Sequence, residues 1–179
     1  LGGELGLRPK DEFRFCWVTD FPLFEAVELE DGTTAWASSH HPFTAPHPDH
    51  IDSMESDPGN ASSLAYDLVL NGSELGSGSI RIHDAATQRR IFSVLGLSEA
   101  EQQEKFGFLL DAFRYGPPPH GGIALGVDRM VMLMTGAESL RDVIAFPKTA
   151  RAQDVMLDAP GRIDAVQMEE LALAHQGLD

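Results

Sequence analysis

"AYDLVLNGSELGSGSIRIH", residues 65–83, is the stretch on which the fold reading turns. Two strand-like runs, 65–70 and 75–82, are joined by a short polar segment. Side chains alternate between the two faces of a strand, so Asp67, Val69 and Asn71 share one face of the first run. In the second, Ile80 and Ile82 lie opposite Arg81; with the isoleucines turned to a core, Arg81 stands on the open face. Gly76, Ser77, Gly78 and Ser79 keep bulk off the backbone, as a sheet requires where a ligand lies directly upon it. Asp67, Glu74 and Arg81 recur at intervals of seven residues. Two carboxylates on one face can share a hard cation such as Mg²⁺ with phosphate oxygens. The same residues also fit an ordinary salt-bridged face, with Arg81 paired to Asp67 or Glu74.

Working outward, residues 12–19 and 23–29 read as strands interrupted by Asp20-Phe21-Pro22, and Asp31-Gly32 predicts a hairpin into 33–38. Residues 40–63 hold four prolines and read as loop with room for a short helix. Asp84 is a helix N-cap for a helix closing at Gly96, and Ser98 with Glu101 forms a capping box for a second helix reaching Gly116. "GPPPH" ends that helix. "GGIALGV" (121–127) reads as a buried strand, "DRMVMLMTG" (128–136) as a helix with its methionines in a core, 139–142 as one turn, 143–146 as a strand and 165–175 as a final helix. Antiparallel strands first and helices later predict an α+β fold, a sheet backed by helices.

Composition narrows the function classes. The 179 residues carry 28 acidic and 13 basic side chains, a formal charge of −15. A nonspecific polyanion binder needs a basic face to displace counterions, and this balance opposes one. A few placed arginines remain compatible with handling RNA. The single cysteine, Cys16, can form no internal disulfide and reads as a small buried apolar residue in a reducing, cytoplasmic setting. No apolar run approaches the ~20 residues of a membrane-spanning helix. The opening "LGGELGLRPKDEF" has neither an initiating methionine nor a signal-peptide pattern.

Two further clusters hold polar chemistry. "SSHHPFTAP" sets His40 and His41 in a loop; adjacent histidines point apart and have no third ligand nearby, so donation to a substrate, or a purely structural loop, fits better than a metal centre. "GGIALGVDR" (121–129) places glycines 121, 122 and 126 where a flat ligand can approach the backbone, and Arg129 at a helix start. A guanidinium there can stack on a base and reach phosphate, or serve as a plain surface residue. Arg89-Arg90 reads as a solvated helix face.

Taken together, "WVTDFPLFE", "HHPFTAP", "AYDLVLNGSELGSGSIRIH", "EKFGFLLDAFRYGPPPHGGIALGVDR" and "RDVIAFPKT", in this order and spacing, resemble the bacterial-type aspartyl-tRNA synthetases of class II. The resemblance runs from Phe13 to the final helix. It implies an antiparallel catalytic sheet, the cofactors ATP and Mg²⁺, and aspartate and tRNA(Asp) as partners, with tRNA(Asn) left open. It implies Asp67 and Glu74 at the metal, Glu74 with Gly126, Val127, Asp128 and Arg129 at ATP, and His40 with Arg81 at aspartate, with no side chain acting as acid, base or nucleophile. "GVDR" is similar to motif 3 of the class. Ser77 stands where the family has mostly glycine. Motif 1, motif 2 and an anticodon-binding domain have no counterpart here. Residues 1–10 therefore resemble the tail of a preceding inserted domain, and 11–179 the C-terminal part of a catalytic domain that is homodimeric in the full enzyme and inactive alone. A noncatalytic module retaining the amino-acid or nucleotide site is the alternative; Arg81 opposes an asparagine- or lysine-specific relative.

Overall fold

The computed structural model describes residues 2, 4–7 and 12–174 in two compact units, 1–127 and 128–179. Residues 1, 3 and 8–11 lie outside the described residues, and with them most of the expected tail segment, as do residues 175–179.

The first unit is built on a four-stranded antiparallel sheet in the order β1-β4-β5-β6. Its strands are β1 (Phe15–Thr19), β4 (Ala65–Leu70), β5 (Ser73–Ile80) and β6 (Gly121–Leu125). The hairpin joining β4 to β5 turns on Asn71 and Gly72, whose φ values of 51° and 84° are the pair of positive angles that a tight two-residue connection requires. Asn71 also fastens the start of β1: its amide accepts from the Arg14 N–H and donates to the Glu12 carbonyl, both at 2.9 Å.

The expected run of neighbouring hairpins breaks after β1. That strand pairs with β4, about fifty residues away, while β2 (Phe24–Glu28) and β3 (Thr34–Ser38) form a sheet of their own. The Asp31-Gly32 turn between them is as expected: Gly32 has φ 78°, and the Asp31 carboxylate accepts from the Thr33 N–H and hydroxyl. Those two bonds hold the Asp31 carboxyl below its usual range.

The core forms beyond the end of β5, where Leu23 and Phe24 from the β2 side meet Met54, Ala61, Ile82 and Ile91. Ile82 turns into this core as expected, but Ile80 stays 38% exposed on the sheet. Helices α1 (Ala85–Val94) and α2 (Glu99–Ala112) pack beside it. Asp84 caps α1 by accepting from the Thr87 N–H at 2.7 Å, and both halves of the Ser98–Glu101 capping box are made. Phe92, fully buried, stacks on Phe106 of α2 at 4.7 Å between ring centroids.

Three sequence expectations fail here for one reason, that local pattern does not say what lies across the chain. Cys16 is exposed, because every residue of β1 is exposed on this edge strand. "GGIALGV" is likewise an exposed edge strand, β6, with no buried residue. Of the Arg89-Arg90 pair, Arg89 is exposed as expected, but Arg90 is anchored: its guanidinium donates to the Ile51 carbonyl at 2.7 Å and pairs with Glu55 at 3.0 Å, tying α1 to the 47–57 segment.

The second unit contains most of α3 (Val127–Thr135), a 3-10 turn (Leu140–Asp142) and α4 (Ala165–Glu170). Gly136, φ 70°, closes α3 as expected, but no residue of that helix is buried and Met134 is 73% exposed, so its methionines are not core residues. Residues 143–146 make no strand; Phe146 takes φ 54°, a left-handed conformation that breaks an extended run. The final helix ends at Glu170, short of the expected span, whose last residue lies outside the described residues.

Candidate functional site

Pairing register decides which side chains share the sheet's open face. Asp67 stands opposite Ser77, Ala65 opposite Ser79, and these two serines face Ala124 and Gly122 of β6. Strict alternation would put Glu74 on the other face from Ser77. A bulge between Leu68 and Val69 on one side, with Leu75 extra on the other, shifts the ladder so that Glu74 pairs with Val69. Val69 alternates with Asp67, so Glu74 joins the Asp67 face. Asp67 is half-buried, and its Oδ1 is a buried acceptor with no hydrogen-bond partner.

The glycines divide by purpose. A Cβ on Gly76 would lie 2.7 Å from the Ala124 carbonyl oxygen, and one on Gly78 would lie 2.6 Å from the Tyr66 ring and 2.9 Å from the Ile123 Cα. These two glycines serve strand packing, on the face away from Ser77, and not ligand clearance. Gly121 is crowded in the same way, by the Ser79 carbonyl at 2.8 Å. Gly122 differs: a Cβ there would meet nothing within 4 Å.

Above this face opens a wide-mouthed cleft of about 620 Å³, lined by the 40–44 loop, Ser77, Ser79, Arg81, Gly122 and Ala124 among others. The loop is fastened as a short pseudo-strand beside Arg81. Thr44 bridges Arg81 in antiparallel fashion, the Ile82 N–H donates to the Phe43 carbonyl at 3.0 Å, and the Ala45 N–H to the Ile80 carbonyl at 2.9 Å. Gln88, fully buried in α1, donates to the Pro42 carbonyl at 2.7 Å.

Arg81 is half-buried, with its guanidinium over the Phe43 ring at 4.9 Å. Among the described residues no carboxylate lies within ion-pair distance of it, and burial pushes its pKa below the ordinary value. The salt-bridged reading of Arg81 with Asp67 or Glu74 is thereby overturned: the sheet carries an unpaired cation into the cleft. His40 lines the cleft, its ring edge-on to Phe21 at 4.8 Å, but the ring that reaches Arg81 belongs to His41.

The Gly126 N–H donates to the Leu75 carbonyl at 2.7 Å, continuing the β5–β6 ladder to the end of the first unit with Val127. Asp128 and Arg129 open the second unit on the first turn of α3, where Arg129 is half-buried. Among the described residues there is no cluster of three or more metal-ligating side chains, and no helix is long and apolar enough to cross a membrane.

Residues 5–150 match the family model of the class II tRNA synthetases (D, K and N). The chain belongs to this family. Among related proteins, the aspartate–tRNA(Asp/Asn) ligase of Salinibacter ruber is 58% identical over 176 residues, which is 97% of this chain and 28% of that protein. The aspartate–tRNA ligase of Macrococcus caseolyticus is 56% identical, across 96% of this chain and 28% of its own length. The chain therefore spans a little over a quarter of the curated relatives it matches. The aspartyl-tRNA synthetase of Entamoeba histolytica superposes with a TM-score of 0.56 at 26% identity, over 78% of this chain and 23% of its own. The antiparallel sheet with flanking helices is thus a partial class II synthetase catalytic fold.

Proposed function

We propose that the chain is the C-terminal part of the catalytic domain of an aspartate–tRNA ligase, whose substrates are aspartate, ATP and tRNA(Asp). The observation that carries this reading is Arg81: a half-buried guanidinium with no carboxylate partner among the described residues, facing an open cleft. A buried cation left unpaired is costly, and an incoming carboxylate relieves that cost. The planar fork receives the side-chain carboxylate of aspartate in two parallel hydrogen bonds, with His40 at the rim. The names of the relatives agree with an anionic amino acid. They differ over tRNA(Asn) as a second acceptor.

Asp67 and Glu74 suit Mg²⁺ held together with ATP phosphates: the orphaned Asp67 Oδ1 lacks a partner, and the register puts both carboxylates on one face. When bound, the ion neutralises phosphate charge. Gly126, Val127, Asp128 and Arg129 contact the nucleotide, with the Arg129 guanidinium against the base. An α-carboxylate oxygen of aspartate attacks the α-phosphorus of ATP in line and expels pyrophosphate. The terminal ribose hydroxyl of tRNA then takes the aspartyl group and releases AMP. The chain's own residues bind and orient; none supplies a nucleophile. The full enzyme works as a homodimer in the cytoplasm, where the exposed Cys16 stays reduced.

The test is amino-acid activation by the full-length enzyme and its Arg81→Leu and Arg81→Lys variants. Sites that hydrogen-bond a substrate group reject analogues lacking it by ~10⁴–10⁵. Activity on aspartate should fall by orders of magnitude and the residual activity on asparagine by far less. An unchanged aspartate-to-asparagine ratio refutes the assignment.

A further inference from the structure

The second histidine of the pair has a geometry that the functional reading above does not use. Nη1 of Arg81 lies 3.4 Å from Nδ1 and 3.2 Å from Nε2 of His41, almost equidistant from the two ring nitrogens. An in-plane hydrogen bond to one nitrogen would leave the other about 2 Å farther away, so this contact is with the ring as a whole. The Phe43 N–H points at Nδ1 from 3.3 Å, and the Thr44 hydroxyl lies at the same distance. A backbone N–H can only donate, so Nδ1 keeps its lone pair and the proton of the neutral ring sits on Nε2. Arg81 can only donate as well, which rules out a conventional bond from it to Nε2–H. The guanidinium therefore touches two neighbouring rings, Phe43 at 4.9 Å from its centroid and His41 through Nη1, and these rings lie against each other with centroids 6.0 Å apart and planes tilted by 40°.

We propose that His41 is a positioning residue for Arg81, its neutral ring forming with the adjoining Phe43 ring a corner-shaped holder that keeps the guanidinium aimed into the cleft before substrate arrives. This rests on the reading of Arg81 as receptor of the side-chain carboxylate. The holder replaces the carboxylate that usually orients a buried arginine. A fixed anion here would compete with the substrate, whereas aromatic rings orient the cation and leave its charge unspent. Phe43 is itself fixed edge-on against Phe92 at 6.2 Å and Phe106 at 5.6 Å, so one wall of the holder is continuous with the helical core. The other wall, His41, is held by its own loop through Phe43 and Thr44. Three features favour the neutral ring: partial burial first, then Arg81, then His40, which together hold the His41 pKa below its ordinary value.

Two substitutions separate this role from that of a loop cap. His41→Asn keeps an acceptor for the N–H two residues on, as Asx-turns do, but removes the ring. His41→Phe keeps a ring beside Arg81 and loses the acceptor. In the full-length enzyme, His41→Asn should raise KM for aspartate about ten-fold with kcat within about two-fold and KM for ATP unchanged, the range expected for a desolvated cation–ring contact. His41→Phe should stay within about three-fold of wild type in KM for aspartate. The reverse order, a normal Asn variant and an impaired Phe variant, makes His41 a loop cap and overturns the proposal. Equal rises for aspartate and ATP, or two unimpaired variants, overturn it as well. Arg81→Leu, run alongside, distinguishes the two levels: if it alters the aspartate-to-asparagine ratio while both His41 variants behave as wild type, only the holder is wrong. If the ratio survives Arg81→Leu, the receptor assignment itself fails.

Discussion

Gly78 and Gly122 sit one register position apart on the neighbouring strands β5 and β6, yet alanine should have opposite effects at the two positions. At Gly122 the new methyl meets nothing within 4 Å, and the backbone angle is not one that excludes side chains. The substitution mainly removes freedom from the unfolded chain and should stabilise by about 0.4–1 kcal/mol. At Gly78 the methyl would lie 2.6 Å from a Tyr66 ring carbon and 2.9 Å from the Ile123 Cα. Carbon atoms settle at about 3.5–4.0 Å, so each contact must open by roughly 1 Å. The tyrosine can swing only by giving up its hydroxyl's bond to the Gly122 carbonyl at 3.1 Å. The β6 backbone can move only by stretching the ladder. Overpacking of this kind costs about 1–3 kcal/mol, so the two variants should differ by roughly 1.5–4 kcal/mol. Urea unfolding followed by circular dichroism reads the difference directly from the midpoints at constant m. The same Gly122→Ala change, placed in the full-length enzyme, puts a methyl on the cleft floor and should raise KM for aspartate several-fold without loss of stability. Equal destabilisation by the two alanines would refute the reasoning, as would a Gly122→Val enzyme with wild-type kinetics.

Three further outcomes are expected. Asp67→Asn and Glu74→Gln in the full-length enzyme should each raise the Mg²⁺ concentration for half-maximal activation; an unchanged Mg²⁺ titration in both returns the pair to the sheet's own packing. Arg129→Ala should raise KM for ATP by about 5- to 30-fold, corresponding to a desolvated cation–ring contact of ~1–2 kcal/mol, with KM for aspartate little changed; equal losses for both substrates would make Arg129 a helix-start residue only. Because the folded state holds the His41 pKa below its ordinary 6.5, the folded chain binds fewer protons than the unfolded one in that window. Stability contributed by the neutral ring is therefore complete above about pH 6.5 and lost as pH falls through the folded value. His41→Asn should flatten that part of the urea-midpoint profile between pH 7 and 5, and an unaltered slope would show that another group titrates there.

What the sequence disclosed follows the range over which each rule acts. The cap at Asp84, the Ser98–Glu101 box, the Asp31-Gly32 turn and the stop at Gly136 are decided within four or five residues, and each is where local chemistry puts it. The seven-residue recurrence of Asp67, Glu74 and Arg81 drew attention to the correct strands. The pairing of β1 with β4 was not legible, since nothing near Phe15 specifies a partner about fifty residues on. Nor was the exposure of Cys16, which depends on that edge position. That the ring against Arg81 belongs to His41, while His40 also lines the cleft, was not legible either: a proline-containing loop has no period from which to read direction, and the pseudo-strand that aims it is made with residues 80–82. Gly76 and Gly78 were read as clearance for a ligand, because a missing side chain looks the same in sequence whether a substrate or a neighbouring strand needs the space.

The extra residue at Leu75 gives this site an unusual vulnerability. Across most of the hairpin, paired residue numbers sum to 144; beyond the bulge the sum falls to 143, as Val69 with Glu74 and Leu70 with Ser73 show. The change from an even to an odd sum is what turns Glu74 toward Asp67. An insertion of one residue between Leu68 and Val69, opposite Leu75, would restore an unbroken ladder, keep every hydrogen-bonding strand in place and send the carboxylate to the opposite side of the sheet from Asp67. Composition at the site would be almost untouched while its charge arrangement was undone. The placement of Glu74 is thus written in the count of residues along the hairpin, and a lineage could substitute freely around it far more safely than it could gain a single codon opposite Leu75.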